Sequence, residues 1–243
     1  MIDRAHRLGS LAFAVLLTSG LVVFASGPAV ADCNTGAFNT EDFEHGSNVA
    51  GVRVVNPGMD IFDTTVVCVR ISSIGILNST GNFAETGWYE DPGNVIADGC
   101  PASGSHPHYL QYAVVGNNTH GCLQGGPTLT GGDTDGFRVS DDVHDGYFFY
   151  YFNGNETGYY FLPFLDGQIL TNGERHNQTD GDTAHANFTG LQHSCSIGCW
   201  TDWTNPLSKS EQDGYFVGNT FYPYFIDCEY GPTHVSVRVP GNC

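Results

Sequence analysis

Basic residues are almost missing from this chain. Its 243 residues hold 8 Lys and Arg against 26 Asp and Glu, a formal net charge of −18, and Lys209 is the one lysine. Nucleic-acid binding needs clustered Lys and Arg on one face, so that partner is excluded, and adhesion to an anionic membrane fails for the same reason. So few bases leave weak positive self-repulsion once acid has neutralised the carboxylates, which suits an acidic milieu and equally a salt-adapted surface. Long apolar runs are also missing beyond residue 31. The one such run, "LAFAVLLTSGLVVFA", follows Arg4, His6 and Arg7 and ends at Ala29-Val30-Ala31. That order reads as a secretory signal peptide over 1–31, with cleavage before Asp32 and a secreted protein without a membrane anchor. Helix signals are nearly absent. The sequence has no G-x-S-x-G elbow, H-E-x-x-H, Gly-rich phosphate loop or EF-hand loop, so no cofactor is expected.

Cysteine, glycine, asparagine and aromatics are present in quantity. Eight cysteines lie after the leader: Cys33, Cys68, Cys100, Cys122, Cys195, Cys199, Cys228 and Cys243. In an exported chain that number reads as four disulfides, with 105 possible pairings. Cys195 with Cys199 and Cys100 with Cys122 are the local candidates. A zinc site is the rival, but only one close C-x3-C pair exists where C-x2-C pairs are needed, so no metal is expected. His106-Pro107-His108 marks no third ligand and reads as loop. Asp141-Asp142 and Asp180-Gly181-Asp182 read as solvated acidic loops rather than calcium sites. Sequons at Asn78, Asn117, Asn155, Asn177 and Asn187 mark surface loops.

Gly and Asn punctuate nearly every ten residues, with Tyr, Phe, Val and Thr between them. That spacing predicts an all-β fold, an antiparallel β-sandwich of jelly-roll or concanavalin-like type, disulfide-stabilised, as one domain over 32–243. Candidate strands include "GVRVVN", "TTVVCVRISSIGIL", "NFAETGWYED", "YLQYAVV", "GFRVS", "GYFFYYFN", "TGYYFLPF" and "HVSVRV". The Asp- and Gly-rich segment Asp133 to Asp145 reads as an exposed loop. Alternation puts Phe83, Glu85, Gly87 and Tyr89 on one face and Ala84, Thr86 and Trp88 on the other. Trp88 then packs between sheets, and Glu85 looks outward among aromatics. A concave aromatic face carrying a carboxylate suits an extended polymer, peptide or glycan.

Of the eight glutamates, most lie in turns or beside other charges. Glu85 stands inside an aromatic strand, and Glu174 stands in "ILTNGERHN", after a strand-like "DGQIL" and behind Asn172-Gly173. Two carboxylates brought together can hydrolyse a bond: one, ionised, takes a proton from water, and the other, protonated, polarises the scissile group. Proximity separates their titrations, and desolvation by Phe83 and Tyr89 would raise the pKa of Glu85 further.

"E-x-G-W" at Glu85 to Trp88 resembles the motif around the first catalytic glutamate of neprosin-like glutamic peptidases. Upstream, "HGSNVAGVRVVNPGMDIFDTTVVCVRIS" is similar to that domain's opening. Downstream, "GYFFYYFNGNETGYYFLPFLDGQILTNGERHN" is similar to its paired aromatic strands, which lead to a Gly-Gly-Glu with the second catalytic glutamate. Gly173-Glu174 occupies the matching place, although Asn172 stands where the first glycine would. Fungal glutamic peptidases likewise use a Gln and a Glu on a β-sandwich. The resemblance implies a secreted, acid-active endopeptidase with Glu85 and Glu174 as catalytic pair and Tyr89, Tyr147 and Tyr151 lining the groove. Its partner would be an extended peptide or protein, and a monomer is expected. The alternatives are a non-catalytic β-sandwich binding glycan or a surface ligand, and a glycoside hydrolase using the same two carboxylates.

Overall fold

The structure is a computed structural model. It describes residues 38–43, 49–61, 70–91, 106–116, 118–120, 127–175, 186–203, 209–212, 214–217, 220–223, 226–231 and 234–238. The chain divides into two units, residues 1–30 and 31–243, and the first lies wholly outside the described residues. Among the described residues there is no helix, and none is therefore long and apolar enough to cross a membrane.

The strands, in chain order, are β1 (Phe38–Phe43), β2 (Gly51–Asp60), β3 (Arg70–Leu77), β4 (Phe83–Glu90), β5 (His108–Val115), β6 (Asn118–His120), β7 (Thr134–Asp141), β8 (Tyr147–Phe152) and β9 (Asn155–Phe161). They continue with β10 (Gln168–Arg175), β11 (Ala186–Thr189), β12 (Leu191–Ser196), β13 (Cys199–Asp202), β14 (Lys209–Gln212), β15 (Gly214–Val217), β16 (Thr220–Pro223), β17 (Ile226–Gly231) and β18 (His234–Arg238). The first sheet runs β14-β1-β10-β3-β4-β5-β6. The second runs β17-β18-β11-β2-β7-β8-β9, with β12 and β13 added beside β2, and β15-β16 form a separate hairpin. Every pairing within these sheets is antiparallel.

The two large sheets pack face to face on one apolar core. Ile74, Ile76, Ala84, Trp88, Tyr109 and Ile169 enter from the first sheet. Val52, Val54, Met59, Phe137, Val139, Phe148 and Tyr150 enter from the second. Alternation explains the sorting, because every second residue of a strand points to the same face. Trp88 is fully buried, and its indole N–H donates to the Asp60 carbonyl at 3.0 Å, which ties β4 to β2 across the sandwich. Tyr109 stacks on Phe137 with ring centroids 6.0 Å apart, and its hydroxyl meets Thr157 at 2.9 Å. Arg70 lies over the Trp88 ring at 4.9 Å. Burial lowers its pKa to about 10, opposed by the Glu90 carboxylate.

The segment read as a loop over Asp133 to Asp145 is mostly strand. Its core-facing Phe137 and Val139 are buried, and β7 pairs with β2 and β8 on either side. Only the stretch after Asp141 turns, and it does so around a carboxylate. The Asp141 side chain accepts from the Asp145 and Gly146 amides at 3.0 and 2.7 Å, an Asx-type arrangement that fixes the hairpin. The Cys195–Cys199 disulfide closes the β12–β13 hairpin. The other expected local pair, Cys100 with Cys122, lies outside the described residues, as do Cys33, Cys68 and Cys243.

Candidate active site

Glu85 lies mid-strand in β4, which has β3 on one side and β5 on the other. Its register partners are Gly75 and Tyr112. Since Ala84 and Trp88 face the core, Glu85 belongs to the outer face of the first sheet, as alternation requires. That face carries its own small apolar cluster: Tyr89 and Leu110, with Ile71 and Tyr112 against them. Glu85 is nevertheless only 8% exposed, and Tyr89 is wholly buried. The expectation of an outward-looking carboxylate is therefore corrected: the face is right, but the group is withdrawn from solvent.

A buried carboxylate is costly unless it is hydrogen-bonded. Here one oxygen, Oε1, accepts from the Ser73 hydroxyl of β3 and from Asn172 Nδ2 of β10 at 3.1 Å. Three adjacent strands thus converge on a single carboxylate oxygen. Glycines make room for this. At Gly75 an added Cβ would come within 2.9 Å of the Ala84 carbonyl oxygen, and at Gly87 within 2.0 Å of the Ser72 carbonyl oxygen. Neither position tolerates a side chain beside Glu85. From beneath, the Tyr150 hydroxyl donates to the Tyr112 carbonyl at 2.9 Å, which brings a phenol of the second sheet under the strand next to Glu85. Burial pushes the Tyr150 pKa well above its ordinary value, with the neighbouring Tyr109, Tyr160 and Glu85 adding to it. Burial also pushes Tyr89 up to about 12, with Asp91 adding to it.

Glu174 occupies β10 two residues beyond Asn172, on the same face by register. It pairs with Ile71, which in turn pairs with Tyr89. Two strand spacings across and four residues along put its Cα roughly 16 Å from that of Glu85 by ordinary sheet geometry. The structure describes the backbone of Glu174 and not its side chain. The residue whose side chain reaches Glu85 is Asn172. Asn-Gly is a pair favoured in hairpin turns, yet Asn172-Gly173 lies inside β10 with β1 and β3 paired on either side. The departure from Gly-Gly-Glu at this position is the signal that marks it.

Of the aromatic residues expected to line a groove, Tyr89 shares the face of Glu85, with its ring 6.0 Å from His108. Tyr147 and Tyr151 do not. They lie in β8, whose Phe148 and Tyr150 face the core, so they sit on the outer face of the second sheet, across the sandwich from Glu85. Local sequence does not say which sheet a strand joins. On that second face Tyr147 makes edge contacts with Tyr159 and Phe161 at 5.9 and 5.3 Å. Tyr151 donates to Asp142 at 2.6 Å and lies 3.7 Å from the Arg138 guanidinium, which also pairs with Asp142. A cleft of about 180 Å³, open to solvent, is lined there by Ser140, Asp142, His144, Asp166, Ile197 and Trp200 among others. It does not include Glu85. Among the described residues no group of three or more His, Cys, Asp or Glu is placed to hold a metal ion.

Sequence comparison matches the chain to no family description and to no curated protein. Solved structures do match in shape. One is Scytalido-glutamic peptidase with a peptide-based transition state analog, with a TM-score of 0.51 at 13% identity, covering 84% of this chain and 98% of that one. Another is SCP-B, a member of the eqolisin family of peptidases, in complex with the tripeptide Ala-Ile-His. It has a TM-score of 0.50 at 13% identity, with the same coverage. At that identity the likeness is one of fold: the chain has the β-sandwich fold of these glutamic peptidases.

Proposed function

We propose that the protein is a secreted glutamic-type endopeptidase that hydrolyses extended peptides at acidic pH, with Glu85 as its acid–base group. The observation that carries this reading is the buried Glu85 carboxylate, held on one oxygen by Ser73 and Asn172. Its support is the fold shared with two peptidases, one bound to a peptide-based transition state analog and the other to a tripeptide. In the reaction, ionised Glu85 takes a proton from water as the water oxygen bonds to the peptide carbonyl carbon. Collapse of the tetrahedral species breaks the C–N bond, and Glu85 returns the proton to the leaving amine. Glu174, protonated, is assigned to the oxygen of that same carbonyl, a role that requires its side chain to extend back along the face toward Glu85. Export after removal of residues 1–31 belongs to this reading.

The test is cleavage of a mixed peptide substrate by purified protein between pH 2 and 8. The expected result is cleavage centred near pH 3–4, where one carboxyl is protonated and the other ionised. Glu174→Gln is expected to lower the rate about 10²-fold or more with the melting temperature intact. Full activity in that variant removes Glu174 from the role, and no cleavage at any pH by folded protein ends the peptidase reading.

A second reading, glycan binding without catalysis, is favoured by a different observation. Tyr147, Tyr159 and Phe161 are 41%, 57% and 57% exposed on one face, and aromatic rings with neighbouring carboxylates suit a sugar. Binding on a glycan array that is lost in Tyr159→Ala, together with no proteolysis, would select it.

A further inference from the structure

Two of the few cations in this chain stand side by side. Arg53 of β2 and Arg138 of β7 are register partners on the outer face of the second sheet, because Val52, Val54, Phe137 and Val139 turn to the core. Like charges directly opposite one another on neighbouring strands are destabilising, and burial together with the Arg138 charge lowers the pKa of Arg53. Arg138 is matched by Asp142, and its Nε donates to Ser140 at 2.9 Å. Arg53 has no such match. Its Nε donates to the neutral Gln192 side chain at 2.8 Å, its guanidinium lies 4.3 Å from the Trp200 ring, and among the described residues no carboxylate pairs with it. A ring contact at a wet surface contributes about 0.5–1 kcal/mol. That is too little to explain why a chain with a net charge of −18 sets two of its eight bases together.

The surroundings say what would complete the pair. Register sets Asp202, Gln192, Arg53, Arg138, Tyr151 and Glu156 in one row across the strands of this face. Both guanidinia rest on rings, since that of Arg138 lies 3.7 Å from Tyr151 and 5.3 Å from Trp200. In the next row Gly51 and Ser140 are partners, and an added Cβ at Gly51 would come within 3.2 Å of the Trp200 ring, so that ring lies down against the sheet. From β13, which carries Trp200, to β8, which carries Tyr151, is four strand spacings, roughly 19 Å. That is the reach of a short oligosaccharide. A stacked guanidinium keeps its N–H edge for a planar acceptor, and a carboxylate matches that fork with two parallel hydrogen bonds. We propose that this face binds an acidic glycan, with a uronic-acid carboxylate bridging Arg53 and Arg138 and the adjoining sugar rings against Trp200 and Tyr151. The site lies across the sandwich from Glu85, so the proposal does not rest on the peptidase reading.

The test titrates the full mature chain with trigalacturonate at about pH 5, where carboxyls of ordinary pKa are ionised. Salt at about 0.15 M screens the protein's own negative charge beyond about 8 Å. The readout is the indole N–H signal of Trp200 in proton–nitrogen NMR, assigned by its disappearance in Trp200→Ala. The expected result is a saturable shift with a Kd below about 1 mM. The methyl ester of the same sugar keeps the rings and removes the charge, and it should bind about tenfold more weakly or worse. Arg53→Gln should weaken the acid by the same factor, and Glu85→Gln should leave it unchanged. An arginine kept for stability would lower the melting temperature when lost. Here its loss relieves a like-charge opposition, so the melting temperature of Arg53→Gln should hold or rise. The proposal is overturned by the absence of a saturable shift, by an ester that binds as tightly as the acid, or by an Arg53→Gln protein with wild-type affinity. Equal affinity for polyaspartate or inorganic phosphate would show a site for any anion and overturn it too. The ester comparison uses the wild-type chain and decides even where Arg53→Gln fails to fold.

Discussion

The two outer faces of the sandwich are built from similar strands and do opposite things with them. "FAETGWYE" in β4 and "YFFYYF" in β8 both alternate, and both turn large side chains to the core. On the first sheet's outer face the polar group is buried and gathered: Ser73 and Asn172 both donate to one oxygen of Glu85. On the second sheet's outer face the aromatics are exposed and the charges are spread in a line: Arg53 over Trp200 at 4.3 Å, then Arg138 beside both Trp200 and Tyr151. Charge–ring contacts at a wet surface are worth about 0.5–1 kcal/mol each. A carboxylate out of water is costly to hold, and it is held by a matched set of donors. Converging polar groups in a dry place suit chemistry, and exposed rings suit contact.

Substitutions that break this contrast should differ in size. Trp88→Ala empties the space between the sheets and frees the Asp60 carbonyl, so it should cost about 3–5 kcal/mol in a denaturant titration. Gly87→Ala forces a methyl group against the Ser72 carbonyl and should cost about 1–3 kcal/mol or more. It should also disturb Glu85, two residues away on the same face, so its loss of peptide cleavage should exceed what its change in melting temperature explains. Trp200→Ala removes ring contacts to two arginines and should cost about 1 kcal/mol. Phe161→Ala, on the exposed face, should stay within about 0.5 kcal/mol of the wild type.

The buried phenols give a further handle. Burial pushes Tyr89 and Tyr151 up to about 12, and raises Tyr109 and Tyr150 as well. A phenol whose pKa is higher folded than unfolded contributes stability that is whole below about pH 10 and is lost as pH rises through about 12. Arg70 acts in the other direction. Its lowered pKa means that the unfolded chain holds that proton more tightly, so stability rises between about pH 10 and 12.5 on its account. Burial lowers Arg53 as well, with Arg138 adding to it, and several tyrosines against these two arginines give a net loss. The melting temperature should fall steeply above about pH 10, and tyrosinate absorbance at about pH 11 should stay well short of twelve residues until the protein unfolds.

Much of the architecture is legible in the sequence because period-two alternation is a local property. The strands at Gly51, Phe83, His108, Tyr147 and His234 follow from it, as does the placement of Glu85 opposite Trp88. What is not legible depends on distant pairing. Asn172-Gly173 carries strong hairpin chemistry, yet two neighbouring strands hold it extended, because ladder pairing outweighs local preference in a central strand. Tyr147 and Tyr151 have the composition of a groove, but β8 joins the sheet that lacks Glu85. The burial of Glu85 likewise depends on what closes over the face, which alternation does not encode.

The central claim is that the chemistry belongs to the Glu85 face and not to the aromatic one. It is tested most directly by measuring peptide cleavage at acidic pH in Glu85→Gln and in a Tyr147→Ala, Tyr159→Ala double variant, side by side with the wild type. The account expects the first to lose about 10²-fold or more while staying folded, and the second to retain the wild-type rate. A Glu85→Gln protein that cleaves at the wild-type rate, or a double variant that alone loses cleavage, would contradict it.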